Sequence, residues 1–299
     1  MNIRRLPLYA KACLRALVSS GPRDYLRMLS RSPYTVRDLP RYGVSMLVDV
    51  RDPAISKPIL ALGDYEEAFA RRLMAHVRED THFVDIGANI GFFTLAVAAR
   101  AVRGRVWSVE PDPQNLRLLR ASVALNGFED RVEVRAAAAS DAPGGVFLSS
   151  LGAGANLGAR FTARDPAVLQ GRTPPGAAAP TRVPAVTVDD LVGDARVDLV
   201  KIDVEGHEPL VFAGMQGVMR RQRPVVFCEF APGTIRHISG TDPAAMLRGI
   251  LDRGYSIAVA DDAGGLRPVG RDVDGFVAGF DAHRHHVDLV LEPEGAPGP

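Results

Sequence analysis

Short apolar runs alternate with amphipathic stripes through most of the chain. Phe83-Val84-Asp85-Ile86 predicts a strand ending at Gly87, and Phe92 to Ala101 is apolar on almost every face, as a helix packed against a sheet must be. Arg105 to Val109 predicts a second strand, closed by Glu110-Pro111. Pro113 to Asn126 predicts a helix with Leu116, Leu119, Val123 and Leu125 as its apolar positions and Gly127 as its C-cap. Further strands are predicted at residues 132–134, 198–204, 224–230, 256–260 and 287–291. Strands alternating with helices imply an α/β fold with a doubly wound, mostly parallel sheet.

The pattern is weaker at both ends and in one internal stretch. Residues 1–60 read as a helical, then extended region, interrupted at Pro33, Pro40, Pro53 and Pro58, with a strand or hairpin over 42–50. Phe69, Leu73, Met74 and Val77 have helical spacing within 65–77. The main domain is expected over 61–292, with 293–299 as a tail. Residues 149–180 are rich in Gly, Ala and Pro and interrupt the rhythm before the fourth strand; they read as a lid over an acceptor or as a surface insert.

Composition changes little in this picture. Apolar residues make up 46% and charged residues 24%, and the net charge is +1, so no nucleic-acid partner is expected. Cys13 and Cys228 form no metal or disulfide pattern, and a cytoplasmic setting is expected. Lys11 and Arg15 break the apolar run near the start, against a signal peptide, and no stretch is long enough to span a membrane; a membrane-surface helix and a plain N-terminal helix both remain open. The His283-Arg284-His285-His286 cluster lacks a well-spaced carboxylate, and no metal site is expected.

The chemistry concentrates at two strand ends. Gly87 and Gly91 are spaced GxxxG after Asp85, unlike the GxGxxG of dinucleotide sites. A carboxylate there is awkward beside a pyrophosphate and suits a cofactor with a cationic amino-acid end, such as S-adenosylmethionine. Glu110, ending the second strand, can accept hydrogen bonds from ribose hydroxyls. The run Lys201-Ile202-Asp203-Val204-Glu205-Gly206-His207-Glu208 ends the fourth strand, where ligands bind in open α/β sheets. His207 is the first candidate for a general base, with Asp203, Glu205 and Glu229 as further candidates in the acceptor site.

Several of these runs resemble the FkbM family of class I methyltransferases: Gly63-Asp64-Tyr65-Glu66, FVDIGANIGFFTL (83–95), VEPDPQNLRLLRASVALNG (109–127) and VDLVKIDVEGHEPLVFAGM (197–215), so that the likeness covers roughly 63–230. The resemblance implies a seven-stranded sheet whose last strand is antiparallel. It implies S-adenosylmethionine as cofactor, with Asp85, Gly87, Asn89 and Gly91 at the methionine end, Glu110 at the ribose, and Ser140 and Asp141 near the adenine. It further implies methylation of a hydroxyl on a small molecule, sugar or glycolipid. A nicotinamide-dependent oxidoreductase and a non-catalytic cofactor-binding module are the competing readings. No (Asp/Asn)-Pro-Pro-(Tyr/Phe) run, as base amino-methylating enzymes carry, follows the fourth strand.

Overall fold

The computed structural model describes residues 33–149, 160–170, 178–261, 265–280 and 286–295. A hairpin comes first, β1 (Tyr34–Leu39) and β2 (Val44–Asp49), turned at Gly43 with φ of 69°. Helix α1 (Ser56–Leu62) starts where the Asp52 carboxylate accepts from the Ile55 and Ser56 N–H groups, at 3.1 and 2.8 Å. Helix α2 (Glu67–Ala75) buries Phe69 and Leu73 of the predicted stripe together with Ala70, while Met74 is half-buried and Val77 is buried just past the helix end.

The alternating core follows: β3 (Phe83–Ile86), α3 (Phe92–Arg100), β4 (Val106–Glu110), α4 (Pro113–Asn126) and β5 (Val132–Ala136). α4 starts on an Asp112 N-cap that accepts from Gln114 N–H (2.8 Å) and Asn115 N–H (3.0 Å), carries Pro113 in its first turn and ends at a left-handed Gly127. Next come β6 (Ala138–Ala139), β7 (Gly144–Leu148), β8 (Thr162–Ala163), α5 (Pro166–Gln170), β9 (Thr181–Val186) and α6 (Val188–Val192). The chain then returns to the core through β10 (Leu199–Ile202), α7 (Glu208–Ala213), α8 (Gln216–Arg221) and β11 (Val225–Phe230). It closes with α9 (Pro232–Ser239), α10 (Pro243–Leu251), β12 (Tyr255–Ala260), β13 (Leu266–Pro268), α11 (Val273–Ala278) and β14 (Val287–Pro293).

The main sheet has the order β13-β12-β14-β11-β10-β3-β4-β5. β11, β10, β3, β4 and β5 run parallel, and β14 is antiparallel to both β11 and β12. The expected seven strands and antiparallel last strand are present, and the short, exposed β13 adds an eighth at the edge. One departure from the reading is a separate four-stranded sheet, β6-β9-β7-β8. Part of the 149–180 insert builds β8 and α5 of that region, and its residues 150–159 and 171–177 lie outside the described residues. β7 begins with two glycines and β9 contains Pro184, so neither shows a clear strand pattern along the chain.

Alternation in the central strands builds a core on each face of the sheet. Val84, Ile86, Val200, Ile202, Val226 and Cys228 pack on one side, and Phe83, Leu199 and Phe227 on the other. The hairpin covers the second side. The free edge of β2 is satisfied by α4 side chains: Ser45 N–H donates to Asn126 Oδ1 (2.9 Å), Asn126 Nδ2 to Ser45 O (2.7 Å), and Leu47 N–H to Ser122 Oγ (2.9 Å). Two polar side chains thus take the place of a third strand.

Candidate active site

The parallel strands order themselves to one side of β3 through β4 and β5, and to the other through β10 and β11. The carboxyl ends of β3 and β10 are therefore the topological switch point where an open α/β sheet leaves a crevice. Two adjoining compartments occupy it. The first, about 520 Å³, is lined by Val109, Glu110, Asn115, Ala138, Ala139, Arg160 and Thr162 among others. The second, about 630 Å³, is lined by Tyr65, Glu66, Gly91, Phe93, Lys201 and Glu229 among others. Gly87, Asn89, Asp203 and Glu205 line both.

The β3–α3 turn is shaped by close contacts. Gly87 has φ of 75°, and a Cβ there would lie 1.9 Å from the Asp203 carbonyl oxygen. Its N–H and that of Ala88 both donate to Val109 O, at 3.0 and 3.1 Å. Asn89 sits at φ of 52° and aims its N–H at Glu110 Oε2, 2.9 Å away. A Cβ on Gly91 would lie 2.3 Å from Leu119 Cδ1, so the second glycine, at φ of 93°, also lets α4 pack closely behind the crevice.

Glu110 is 4% exposed. Its Oε1 accepts from Asp112 N–H (2.8 Å) and Asn115 Nδ2 (3.4 Å), so among the described residues every donor to this carboxylate is a neutral N–H. Burial pushes its pKa up to about 7, and the backbone donors pull only partly against it.

Asp85 lies elsewhere than expected. It is 0% exposed and lines neither compartment, because its position in β3 points it beneath the turn toward α3. Thr94 Oγ1 donates to its Oδ2 at 2.6 Å, and Lys201 Nζ lies 3.9 Å from Oδ1. Lys201 also reaches Asp203 Oδ2 at 3.1 Å and Gly87 O at 3.4 Å. Burial opposes charge on Lys201, but Asp203, Asp85 and Glu66 outweigh it and hold the ammonium above its ordinary value. Asp85 therefore acts on the turn through Lys201 and Thr94.

His207, the first candidate for a base, likewise lies away from the crevice. It is 0% exposed and lines neither compartment. Its Nδ1 lies 3.2 Å from Thr162 O, which can only accept, so Nδ1 carries the proton and Nε2 faces Ser140 Oγ at 3.2 Å. Burial lowers its pKa to about 4. The ring ties β8 to the corner after β6. Ser140 is turned inward onto it, and Asp141 is engaged by Arg164, so the crevice wall expected of Ser140 and Asp141 is made by Ala138 and Ala139 instead.

Asp203, Glu205 and Glu229 do come together at the crevice, joined by Glu66 at its rim. Glu205 holds φ of 55°. The pKa of Glu229 is pushed up to about 10 by burial and then by the carboxylates of Asp203, Glu205, Glu208 and Asp288. Among the described residues no group of three or more His, Cys, Asp or Glu side chains is arranged to hold a metal. Of the histidine cluster only His286 is described, with Nε2 3.9 Å from Glu229 Oε1.

Sequence reasoning passed over Tyr65, Glu66, Asn115, Arg160 and Thr162 as crevice residues. Asn115 carried a local signal, being a polar residue on the buried face of α4 beside Leu116 and Leu119. Arg160 carried none, since it reaches the site through the second sheet.

The Methyltransferase FkbM domain family matches residues 85–257. A curated relative, the probable cobalt-precorrin-6B C(15)-methyltransferase (decarboxylating) of Halobacterium salinarum, is 41% identical over 61 residues, which is 20% of this chain and 32% of that protein. The crystal structure of Methyltransferase FkbM from Methylobacillus flagellatus KT aligns with a TM-score of 0.43 and 20% identity, covering 72% of this chain and 44% of that one. That of the M. jannaschii tRNA m1G37 methyltransferase aligns at 0.46 and 11% identity, covering 89% and 58%. The chain thus spans about a third of the curated relative and under half of the first structure. Among the described residues no helix is long and apolar enough to cross a membrane.

Proposed function

The chain belongs to the FkbM methyltransferase family, whose domain matches more than half of it, and on that footing we propose that it methylates a hydroxyl of a small molecule, sugar or glycolipid from S-adenosylmethionine. The observation that carries this is the pair of compartments meeting at Gly87, Asn89, Asp203 and Glu205. The donor sets fit the cofactor. Glu110 is a buried carboxylate with only neutral donors against it, suited to the two hydroxyls of a ribose. Among its described lining residues the second compartment sets the carboxyl groups of Asp203 and Glu205 beside Glu66, with Lys201 as the one basic residue, which favours a cationic sulfonium and ammonium end.

When bound, S-adenosylmethionine supplies an electrophilic methyl group on a cationic sulfur. The residues of this chain then have to place an acceptor oxygen in line and remove its proton. Lys201 keeps Asp203 oriented at the junction of the compartments. Glu205, at the same junction, is positioned to take the hydroxyl proton as the new O–C bond forms, a contribution of about 10²–10⁴-fold for a placed base. Burial and the neighbouring carboxylates of Asp203 and Glu205 push the Glu229 pKa up, which favours a protonated carboxyl able to donate to a second oxygen of the acceptor. Positioning supplies the larger share, roughly 7–11 kcal/mol in favourable cases.

Calorimetric titration with S-adenosylhomocysteine, with NAD and NADP alongside, tests the cofactor class. Micromolar binding of S-adenosylhomocysteine alone is expected, and binding of a nicotinamide nucleotide in its place would overturn the reading. A screen of hydroxylated acceptors with methyl-labelled cofactor follows, and NMR of the product locates the methyl on oxygen or on nitrogen. Glu205→Gln should lower turnover about 10²-fold or more, well beyond its effect on S-adenosylhomocysteine affinity; wild-type turnover would remove Glu205 as the base.

A further inference from the structure

Two polar atoms in the wall of the first compartment are buried without a partner among the described residues: Asn115 Oδ1 and Arg160 Nε. Asn115 is 1% exposed. Its amide orientation follows from Glu110, because Nδ2 lies 3.4 Å from Glu110 Oε1 and the flipped amide would set a carbonyl oxygen against a carboxylate. The other end of the amide therefore presents an acceptor. Arg160 is held through its two other nitrogens. Nη2 lies 3.0 Å from Asp112 Oδ2 and Nη1 donates to Ser149 O at 3.3 Å, which leaves Nε–H as a donor. Asp112 caps the same first turn of α4 that carries Asn115, so the two side chains are tied to one rigid element.

A buried donor or acceptor left unmade is costly, and one of each in the wall of a single binding compartment is explained by a ligand edge that carries the complementary pair. Adenine has such an edge, with an exocyclic amino donor beside a ring-nitrogen acceptor. The carboxylate expected near the adenine from the sequence, Asp141, is engaged by Arg164 and lines neither compartment. The remaining polar groups of Glu110 suit a ribose diol.

We infer that Asn115 and Arg160 read the base of the cofactor: Asn115 Oδ1 accepts from the exocyclic amino group, and Arg160 Nε donates to the neighbouring ring nitrogen. The inference rests on the cofactor reading above and adds to it the residues that distinguish adenine from other purines. Hypoxanthine replaces the amino donor with a carbonyl acceptor, which would face Asn115 Oδ1 directly.

The test is calorimetry with S-adenosylhomocysteine and S-inosylhomocysteine on the wild type, Asn115→Ala and Arg160→Met, with circular dichroism to verify folding. The ratio of the two affinities is the readout, since Asn115 also braces Glu110 and loosening Glu110 would weaken both ligands alike. The wild type should prefer the adenine compound by about tenfold or more, and Asn115→Ala should bring the ratio to within about threefold. Arg160→Met, at a less buried position, gives an independent arm: it should lose the wild-type penalty against the 1-deaza or the 7-deaza analogue of S-adenosylhomocysteine. Full selectivity retained in a folded Asn115→Ala protein, or in Arg160→Met if the first variant does not fold, overturns the base-reading role while leaving the cofactor reading standing. A wild type that binds no S-adenosylhomocysteine overturns both.

Discussion

Asp85 and Glu110 are both buried carboxylates at strand ends, yet they do different work. Glu110 faces the first compartment and meets only neutral donors, so its unspent acceptor capacity points at a ligand. Asp85 faces Thr94 and Lys201 under the turn. Glu110→Ala should therefore weaken S-adenosylhomocysteine binding about tenfold or more as its main effect, with a smaller loss of stability, about 1–3 kcal/mol, from the buried N–H donors left unpaired. Asp85→Ala should do the reverse in order of size: removing one partner of a buried pair costs about 3–5 kcal/mol of stability, read by urea denaturation, and affinity falls as a consequence. An Asp85→Ala protein of wild-type stability that has lost cofactor binding would restore Asp85 to the crevice. Both residues were legible along the chain as acids at strand ends. Their division of labour was not, because it depends on which side of β3 and β4 each side chain leaves.

At the scale of the element, the segment after β10 is held by its own short-range bonds. Glu208 Oε1 accepts from Gly206 N–H (3.1 Å) and Val204 N–H (3.3 Å), and a Cβ on Gly206 would lie 2.7 Å from Thr234 O. Burial pushes the Glu208 pKa up from 4.5 to about 7, so the folded state binds more protons than the unfolded state between those values. Its contribution to stability is complete below pH 4.5 and is lost as pH rises through 7. Glu208→Gln keeps the acceptor without the charge. Its stability should match wild type near pH 4.5 and exceed it by up to about 3 kcal/mol above pH 7, measured by urea denaturation across that range. His207 has the opposite sign: with its pKa lowered from 6.5 to about 4, its contribution is present above 6.5 and is lost as pH falls toward 4. The β3–α3 turn is the other element that the crevice depends on. Gly87→Ala should cost about 3 kcal/mol or more and weaken cofactor binding together, because the added carbon meets the Asp203 carbonyl and not a movable side chain. Wild-type thermal stability in that variant would mean that the turn and the β10 loop are not packed as described.

Across the whole molecule, the crevice floor comes from β3, β4, β10 and β11, one wall from Arg160 and Thr162 beside the second sheet, and another from residues 54–66 of the hairpin and helix region. Hydrogen–deuterium exchange with S-adenosylhomocysteine should therefore protect 87–91, 203–207 and 160–163 together; unchanged exchange at 160–163 would detach the second sheet from the cofactor site. The sequence by itself determined the strand–helix alternation, because the central strands are buried on both faces and helices such as α4 cap and stop by local rules, at Asp112 and Gly127. It also pointed to the ends of β3, β4 and β10, where the topology of an open α/β sheet leaves its crevice. Only the tertiary structure decided which polar residues reach that crevice. Ser140 and His207 turn inward on each other, Asn126 and Ser122 complete the edge of β2, and Arg160 arrives from a sheet whose strands carry little periodicity. The physical reason is range: periodicity encodes how buried a position is, whereas the partner of a buried polar group is chosen by elements far away along the chain.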